Sequence, residues 1–300
     1  MATVELGIHA GPQDIELAEL RRLWRFCDEA GFDLITCWDH FYESPPRDGN
    51  GPCYEALPTL TALALETSRA RVGCLCFGMG YRNPAVLAKS LTTIDHLSQG
   101  RLTVGLGAGW HEPEHVGYGF ARKLPPAKER LDKLAEGVQV IRLLLTQERS
   151  TFEGAYYRLE NAANFPRPVQ PRIPLIVGGP GERRTLAIAA QFGDGANQAY
   201  LALDVYRHKN EVLDHWCEVF GRDPTTLERS VILHWDLTSS GQPKPARAGA
   251  LAGSPQQAIE TLGSYVEAGA QRISLAIRPP VDWQALEDFM AQVMPAIRHG

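Results

Sequence analysis

The chain reads as an α/β protein, a (β/α)8 barrel, on two observations. Short apolar runs alternate with segments of helical period along the whole chain. The alternation repeats about eight times within 300 residues, the size expected of such a barrel. A doubly wound sheet with a helical tail is the structural alternative. It is the weaker one, because the alternation reaches the C-terminus without a change in composition. Residues 1–300 are therefore treated as one domain.

VELGIHA (4–10) is the first strand, and after it Leu17, Leu20, Trp24 and Cys27 recur at helical spacing up to Gly31. DLITCW (33–38) is the second, followed by the helical YEALPTLTALALETS (54–68). RVGCLCF (71–77) leads to a helix opening at Asn83-Pro84, where a proline in the first turn loses no hydrogen bond. RLTVGLG (101–107) is the fourth strand, and a long helix runs from about Lys128 to Thr146. The segment 148–174 is too long for a barrel loop, carries paired aromatics around Gly154 and then turns proline-rich. It reads as a hairpin insertion and covering loop between strands four and five. IPLIVGG (173–179) is the fifth strand, with a helix from near Glu182, and DGANQA (194–199) is the sixth. A helix from Asp204 to Phe220 precedes SVILHWDL (230–237). A helix from Ser254-Pro255 to Ala268 precedes RISLAIR (272–278), and a last helix runs from Asp282 to near Arg298.

Composition narrows the function. Hydrophobic residues at 44% can fill a substantial core, and 22% charged residues are ordinary for a globular chain. A net charge of -5 without a run of Lys or Arg argues against nucleic-acid or anionic-membrane partners. The N-terminal MATVELGIHAGP lacks the basic and apolar regions of an export signal, and no apolar run is long enough to span a membrane. Cysteines 27, 37, 53, 74, 76 and 217 show no C-x-x-C spacing and read as small buried thiols in a reducing cytoplasm.

Barrel chemistry sits at the carboxyl ends of strands. Those ends here are rich in polar and aromatic residues: Trp38-Asp39-His40-Phe41 after strand two, CFGMGYRNP after three and GAGWHEPEH after four. Gly178-Gly179 comes after strand five, Asn197 after six, His234-Trp235-Asp236 after seven and Arg278 after eight. Glycines beside aromatics admit a flat ligand close to the backbone, so a large planar cofactor fits better than a metal cage. GWHEPEH does satisfy H-E-x-x-H, the zinc-protease pattern with His111 and His115 as ligands. That pattern works inside a helix, where Pro113 would remove a hydrogen bond and clash at a cost of about 3 kcal/mol. No third ligand is assignable, so the stretch reads as a loop or first helical turn and a zinc hydrolase is the third-ranked function. Gly178 and Gly179 in GGPGERRT would expose backbone amides at a helix start, with Arg183 and Arg184 adding charge, a natural phosphate site. His40 beside Asp39 reads as a proton donor or acceptor, against the bland reading of a capping aspartate and a packed ring.

CWDHF, the block YRNPAVLAKSLTTIDHLSQGRLTVGLGAGWHEPEHVGYGF, TFEGAYYRLENA and PLIVGGPGERRTLAIAAQFGDGAN stand in an order that resembles the luciferase-like monooxygenase superfamily. Within it the chain is most similar to oxidoreductases using the deazaflavin coenzyme F420. The resemblance implies a barrel, a homodimer, and hydride transfer between F420 and a small organic substrate. His40 falls on the histidine that sugar-phosphate dehydrogenases of this kind use beside the reacting carbon; our reading makes His40 the catalytic proton donor or acceptor, oriented by Asp39. The resemblance also implies a strand-three bulge holding a non-prolyl cis peptide against the ring, by position Cys74–Leu75, with Cys76 beside it. Gly107, Ala108 and Gly109 would pass under the ribityl chain, next to Trp110; Gly178 and Gly179 would hold the phosphate, and Asn197 would line the same groove. His111, His115, Tyr118 and His234 are the substrate-side candidates. Trp110 stands where sugar-phosphate dehydrogenases of this kind carry a catalytic glutamate, which argues against their reaction. The alternative function is an FMN-dependent monooxygenase, which would need a separate reductase; a barrel that only carries the cofactor is the non-catalytic reading.

Overall fold

Eight strands close into a parallel barrel because each is followed by a connection that returns the chain to the barrel's amino end. The structure, a computed structural model, describes residues 4–43, 49–240 and 244–299. β1 (Glu5–His9), α1 (Leu17–Glu29), β2 (Leu34–Cys37), α2 (Ala56–Glu66), β3 (Arg71–Gly78), α3 (Pro84–Leu97) and β4 (Leu102–Gly107) form the first half. A short α4 (Glu112–Gly117), the long α5 (Ala127–Thr146) and the hairpin β5 (Arg149–Glu153) and β6 (Arg158–Ala163) come next. Then come β7 (Leu175–Gly178), α6 (Thr185–Phe192), β8 (Gly195–Ala199), α7 (Leu203–Val219), β9 (Glu228–Trp235) and a two-residue β10 (Ala250–Leu251). α8 (Pro255–Glu267), β11 (Arg272–Ala276), α9 (Trp283–Gln292) and α10 (Met294–His299) complete the chain. β1, β2, β3, β4, β7, β8, β9 and β11 are the staves, and the pairing of β11 with β1 closes the ring.

The staves are largely apolar because both faces are covered. Every residue of β2 and of β11 is buried. Helix starts reflect local chemistry: Asn83 accepts from the Ala85 and Val86 amides, and Ser254 with Gln257 forms a capping box. The single last helix expected from the sequence is broken at Val293, since Pro295 has no N–H to continue the ladder. The helix expected near Glu182 begins at Thr185.

The insertion is the hairpin anticipated, but none of the residues lining the barrel mouth comes from 148–174. α5 delivers the chain to the amino end, so the hairpin starts on the wrong side to cover the mouth. The Glu136 carboxylate on α5 then accepts the amides of Ala155, Tyr156 and Tyr157 at 2.9–3.0 Å and fixes the hairpin tip against that helix. At the amino end Arg272 bridges Glu5 and Glu228, 2.7 Å from each. At the other end Leu75, Ile176, Ile232 and Ala276 form a separate apolar layer inside the barrel. The ladder between β3 and β4 shifts register between Cys74 and Phe77, and the non-prolyl cis peptide is Leu75–Cys76. The expected Cys74–Leu75 is thus one bond too early. Cys74 still pairs in register with Val104, and in the uniformly apolar run no residue type marks where the bulge begins. Among the described residues no helix is long and apolar enough to cross a membrane.

Candidate active site

The apolar layer is the floor of a cleft of about 590 Å3 across the carboxyl mouth, a size that suits a cofactor-sized organic ligand. One wall comes from the ends of β2, β3 and β4, the other from those of β7, β8 and β9. Leu75, Cys76, Ala199 and Ile232 line the bottom.

On the first wall His40 is held by a residue 74 positions away. Its Nδ1 lies 3.0 Å from both carboxylate oxygens of Glu114. Glu114 is fully buried on α4 and also accepts from the Phe41 amide (2.8 Å), the Tyr42 amide (3.1 Å) and the Tyr81 hydroxyl (2.6 Å). Burial pushes its pKa up, but His40, Tyr81 and the Phe41 amide outweigh burial and hold it at about 2. The orientation of His40 expected from Asp39 is therefore corrected: Asp39 faces the other way. It accepts from the Gly78 amide at 2.9 Å and from the Arg82 guanidinium at 2.6 and 2.9 Å. Successive side chains leave an extended segment in opposite directions, which sends Asp39 to β3 and His40 to the cleft. Arg82 also pairs with Glu55.

His9, which no sequence motif singles out, lines the same region. Its Nδ1 is 2.8 Å from the Thr36 hydroxyl, and burial, reinforced by the charges of Arg278 and His40, lowers its pKa to about 3. Trp38 packs tilted against His9 and donates from its indole to Gln13 at 2.7 Å. Gly11 leaves the room this needs, since an added Cβ would sit 1.9 Å from the Trp38 ring. Arg278 lies 5.2 Å over the same ring.

The second wall opens with glycine backbone. A Cβ on Gly178 would meet the Cys76 sulfur at 2.2 Å, and Gly179 has a φ of +125°, a conformation that side chains disfavour. The Gly179 amide is not exposed as expected: it donates to the Asn197 carbonyl at 3.0 Å, because Gly178 pairs in register with Asn197. The hydroxyl-bearing Thr185, first residue of α6, lines the cleft beside these glycines. Arg184 turns away to Asp132, whereas Arg183 is exposed. The Asn197 amide donates to the Ser230 hydroxyl at 3.0 Å.

Of the residues singled out in the sequence, Asp39, His40, Leu75, Cys76, Gly107, Ala108, Gly109, Trp110, His111, Gly178, Gly179 and Asn197 line the cleft. Cys74 does not; it is buried in the barrel wall beside Cys37. His234 stands behind Tyr200, stacked at 3.9 Å, and it is Tyr200 that faces the ligand space. His115 lies under the loop, bonded through Nδ1 to the His111 carbonyl at 3.0 Å. Tyr118 is half exposed, packs tilted on Phe41 and stacks on Phe120 outside the mouth. Pro113 is accommodated after all, because α4 is one short helix with proline in its first turn. His111 and His115 do not converge as zinc ligands. The convergent group is His40, His111 and Glu114, with ligand atoms within 4.8 Å of one another. Four donors already occupy the lone pairs that the Glu114 carboxylate offers, so a hydrogen-bonded cluster accounts for it.

A closed parallel barrel whose polar residues converge on a deep cleft at its carboxyl mouth defines an enzyme of the barrel class. The luciferase-like monooxygenase family model matches residues 1–240, and the chain belongs to that family. An F420-dependent glucose-6-phosphate dehydrogenase of Intrasporangium calvum is 30% identical across 90% of this chain and 92% of its own. Among solved structures, an F420-dependent secondary alcohol dehydrogenase in complex with an F420–acetone adduct superposes with a TM-score of 0.86, at 19% identity over 99% of both chains. The F420-dependent tetrahydromethanopterin reductase of Methanopyrus kandleri gives 0.83, also at 19% identity, over 99% of this chain and all of the other.

Proposed function

We propose that the protein is an F420-dependent oxidoreductase that exchanges a hydride between the deazaflavin and a small organic substrate. The observation that carries this reading is the cleft itself, with an imidazole on one wall and a side-chain-free glycine cradle on the other. The cradle is a fit for a long phosphorylated cofactor: Gly178 admits no Cβ, and Gly109 and Gly179 hold positive φ values of +73° and +125°. The relatives' dependence on F420 supports the choice of cofactor.

In this reading Leu75 and Cys76 support the ring, Gly107 to Gly109 the chain below it, and Gly178, Gly179 and Thr185 the phosphate end, with Asn197 in the same groove. Bound there, the deazaflavin supplies the hydride-exchanging carbon. The protein's own contributions are orientation, exclusion of water and a proton at His40. Cys76, its pKa pushed to about 12 chiefly by burial, serves as an uncharged surface under the ring. Trp110 and His111 bound the substrate's approach, and no carboxylate stands at position 110 for sugar-phosphate chemistry. Six free thiols accord with a reducing cytoplasm. Val86, Leu97, Phe165 and Val169 are all exposed, and Lys89 of α3 donates to the Phe165 carbonyl, which supports a homodimer through that face.

Titration of the purified apo-protein with F420 and with FMN tests the choice; F420 is expected to bind more tightly, and a preference for FMN overturns it. In F420 reduction assays with secondary alcohols and glucose 6-phosphate, His40→Gln should lower turnover by about 10²–10⁴-fold with cofactor affinity kept. Unchanged turnover would remove the acid–base role.

A further inference from the structure

We propose that Glu114 is a positioning residue that fixes which nitrogen of His40 carries the proton, keeping Nδ1 protonated and presenting the Nε2 lone pair to the cleft. This rests on the reading of His40 as the acid–base group. An ionised carboxylate only accepts hydrogen bonds, so the ring nitrogen 3.0 Å from both its oxygens must be the donor. The carboxylate is itself immobilised. It is fully buried, and the Phe41 and Tyr42 amides and the Tyr81 hydroxyl hold it from three further directions. His40 is anchored independently through its carbonyl, which accepts from the Cys53 thiol at 3.2 Å. The depressed Glu114 pKa agrees with a carboxylate that stays ionised beside a donor.

The consequence is directional. On oxidation of an alcohol the hydroxyl proton passes to Nε2, and the positive charge formed on the ring lies at hydrogen-bond distance from a carboxylate. In the reverse direction the same nitrogen returns the proton. A ring in the other tautomer would offer N–H where an acceptor is required. Glu114→Gln makes that exchange with little change of shape. Its amide oxygen, kept toward the Phe41 and Tyr42 amides, leaves the NH2 group in place of the oxygen that takes the Tyr81 hydroxyl. The hydroxyl turns to accept, and the new N–H beside Nδ1 removes the ionised acceptor and favours a proton on Nε2.

The first measurement is made on the cofactor-free wild-type protein. Histidine 15N shifts, with His40 assigned by its loss in His40→Gln, should show the Nδ1–H tautomer; an Nε2–H tautomer overturns the proposal whether or not any Glu114 variant folds. In Glu114→Gln the ring is expected to switch to Nε2–H. Turnover of the best alcohol from the assay should fall by about 10²–10⁴-fold, with KM and F420 affinity within about twofold if binding is untouched. Loss of turnover with the tautomer unchanged, or with KM and affinity failing together, assigns Glu114 a purely structural role and overturns the proposal. If His40→Gln alone leaves turnover intact, the acid–base reading fails, while the wild-type tautomer still scores the Glu114 assignment separately.

Discussion

The two walls of the mouth are built on opposite principles. Around Asp39, Arg82, Glu114 and His40 each ionised group is closed off by a partner inside the protein, and the result is one imidazole held in one orientation. Across the cleft, the lining from Gly178 to Tyr200 carries no charged side chain; it offers glycine backbone, the Thr185 hydroxyl and the Asn197 amide. Buried charges are tolerable only when paired, so a wall made of them is rigid and slow to change. A wall of glycine and neutral groups leaves its space to a ligand. Under the proposed function, chemistry belongs to the first wall and reception of the cofactor to the second.

The sharpest way to break it is to remove a partner from the first wall. Asp39→Ala leaves the Arg82 guanidinium buried with only Glu55, and should cost on the order of 3 kcal/mol in urea unfolding. A cost under about 1 kcal/mol, the range of an exposed pair, would show that this wall is not held by its charges. On the second wall, Gly178→Ala puts a Cβ against the Cys76 sulfur. We expect about 1–3 kcal/mol, or roughly 5- to 150-fold weaker F420 binding, read by cofactor titration. Cys76→Ala in the same chain should restore most of it, because it removes the clashing atom. If the double variant binds no better than the single one, the cradle is set by something other than this contact.

The barrel was legible in the sequence because most staves announce themselves as apolar runs between helices, and period and length together leave few alternatives. On the second wall the place of Gly178 and Gly179 at the mouth was legible, but not that the Gly179 amide is taken by the Asn197 carbonyl or that Arg184 turns to Asp132. The first wall was only half legible. His40 stood out between aromatics, but its partner Glu114 is chosen by the way the loop after β4 folds back over the loop after β2, and nothing local encodes that. Asp39 was paired in expectation with its neighbour in sequence, when its true partner, Arg82, lies in the loop after β3. The bulge in β3 was misplaced by one bond because Cys74, Leu75 and Cys76 are interchangeable as apolar strand residues. His9 carried a signal that could have been used: a lone imidazole at the carboxyl end of an otherwise apolar strand.

That imidazole gives the smallest and most graded test of the comparison, because it lies on the protected side. His9 has a pKa near 3 in the folded protein against an ordinary 6.5, chiefly through burial. Between those values the unfolded chain binds a proton that the folded chain refuses, so stability falls as pH drops through the window and is unaffected above it. Glu114 acts in the same sense, but only from 4.5 downward to about 2. From pH 6.5 to 5 Glu114 stays ionised in both states, while the buried carboxyls of Asp39 and Glu228, pushed up by burial, act in the opposite sense, so the His9 share is read as the difference between wild type and variant. His234, on the opposite wall, contributes its own share there, with a pKa lowered to about 4 by burial and Arg247. Over that interval His9 should account for on the order of 1.5 kcal/mol of lost unfolding free energy. His9→Gln, measured by urea unfolding at both pH values, should remove that share and leave the part due to His234. An unchanged slope would mean that the folded protein accepts a proton at His9 readily, and that the first wall is more open to water than its pairing implies.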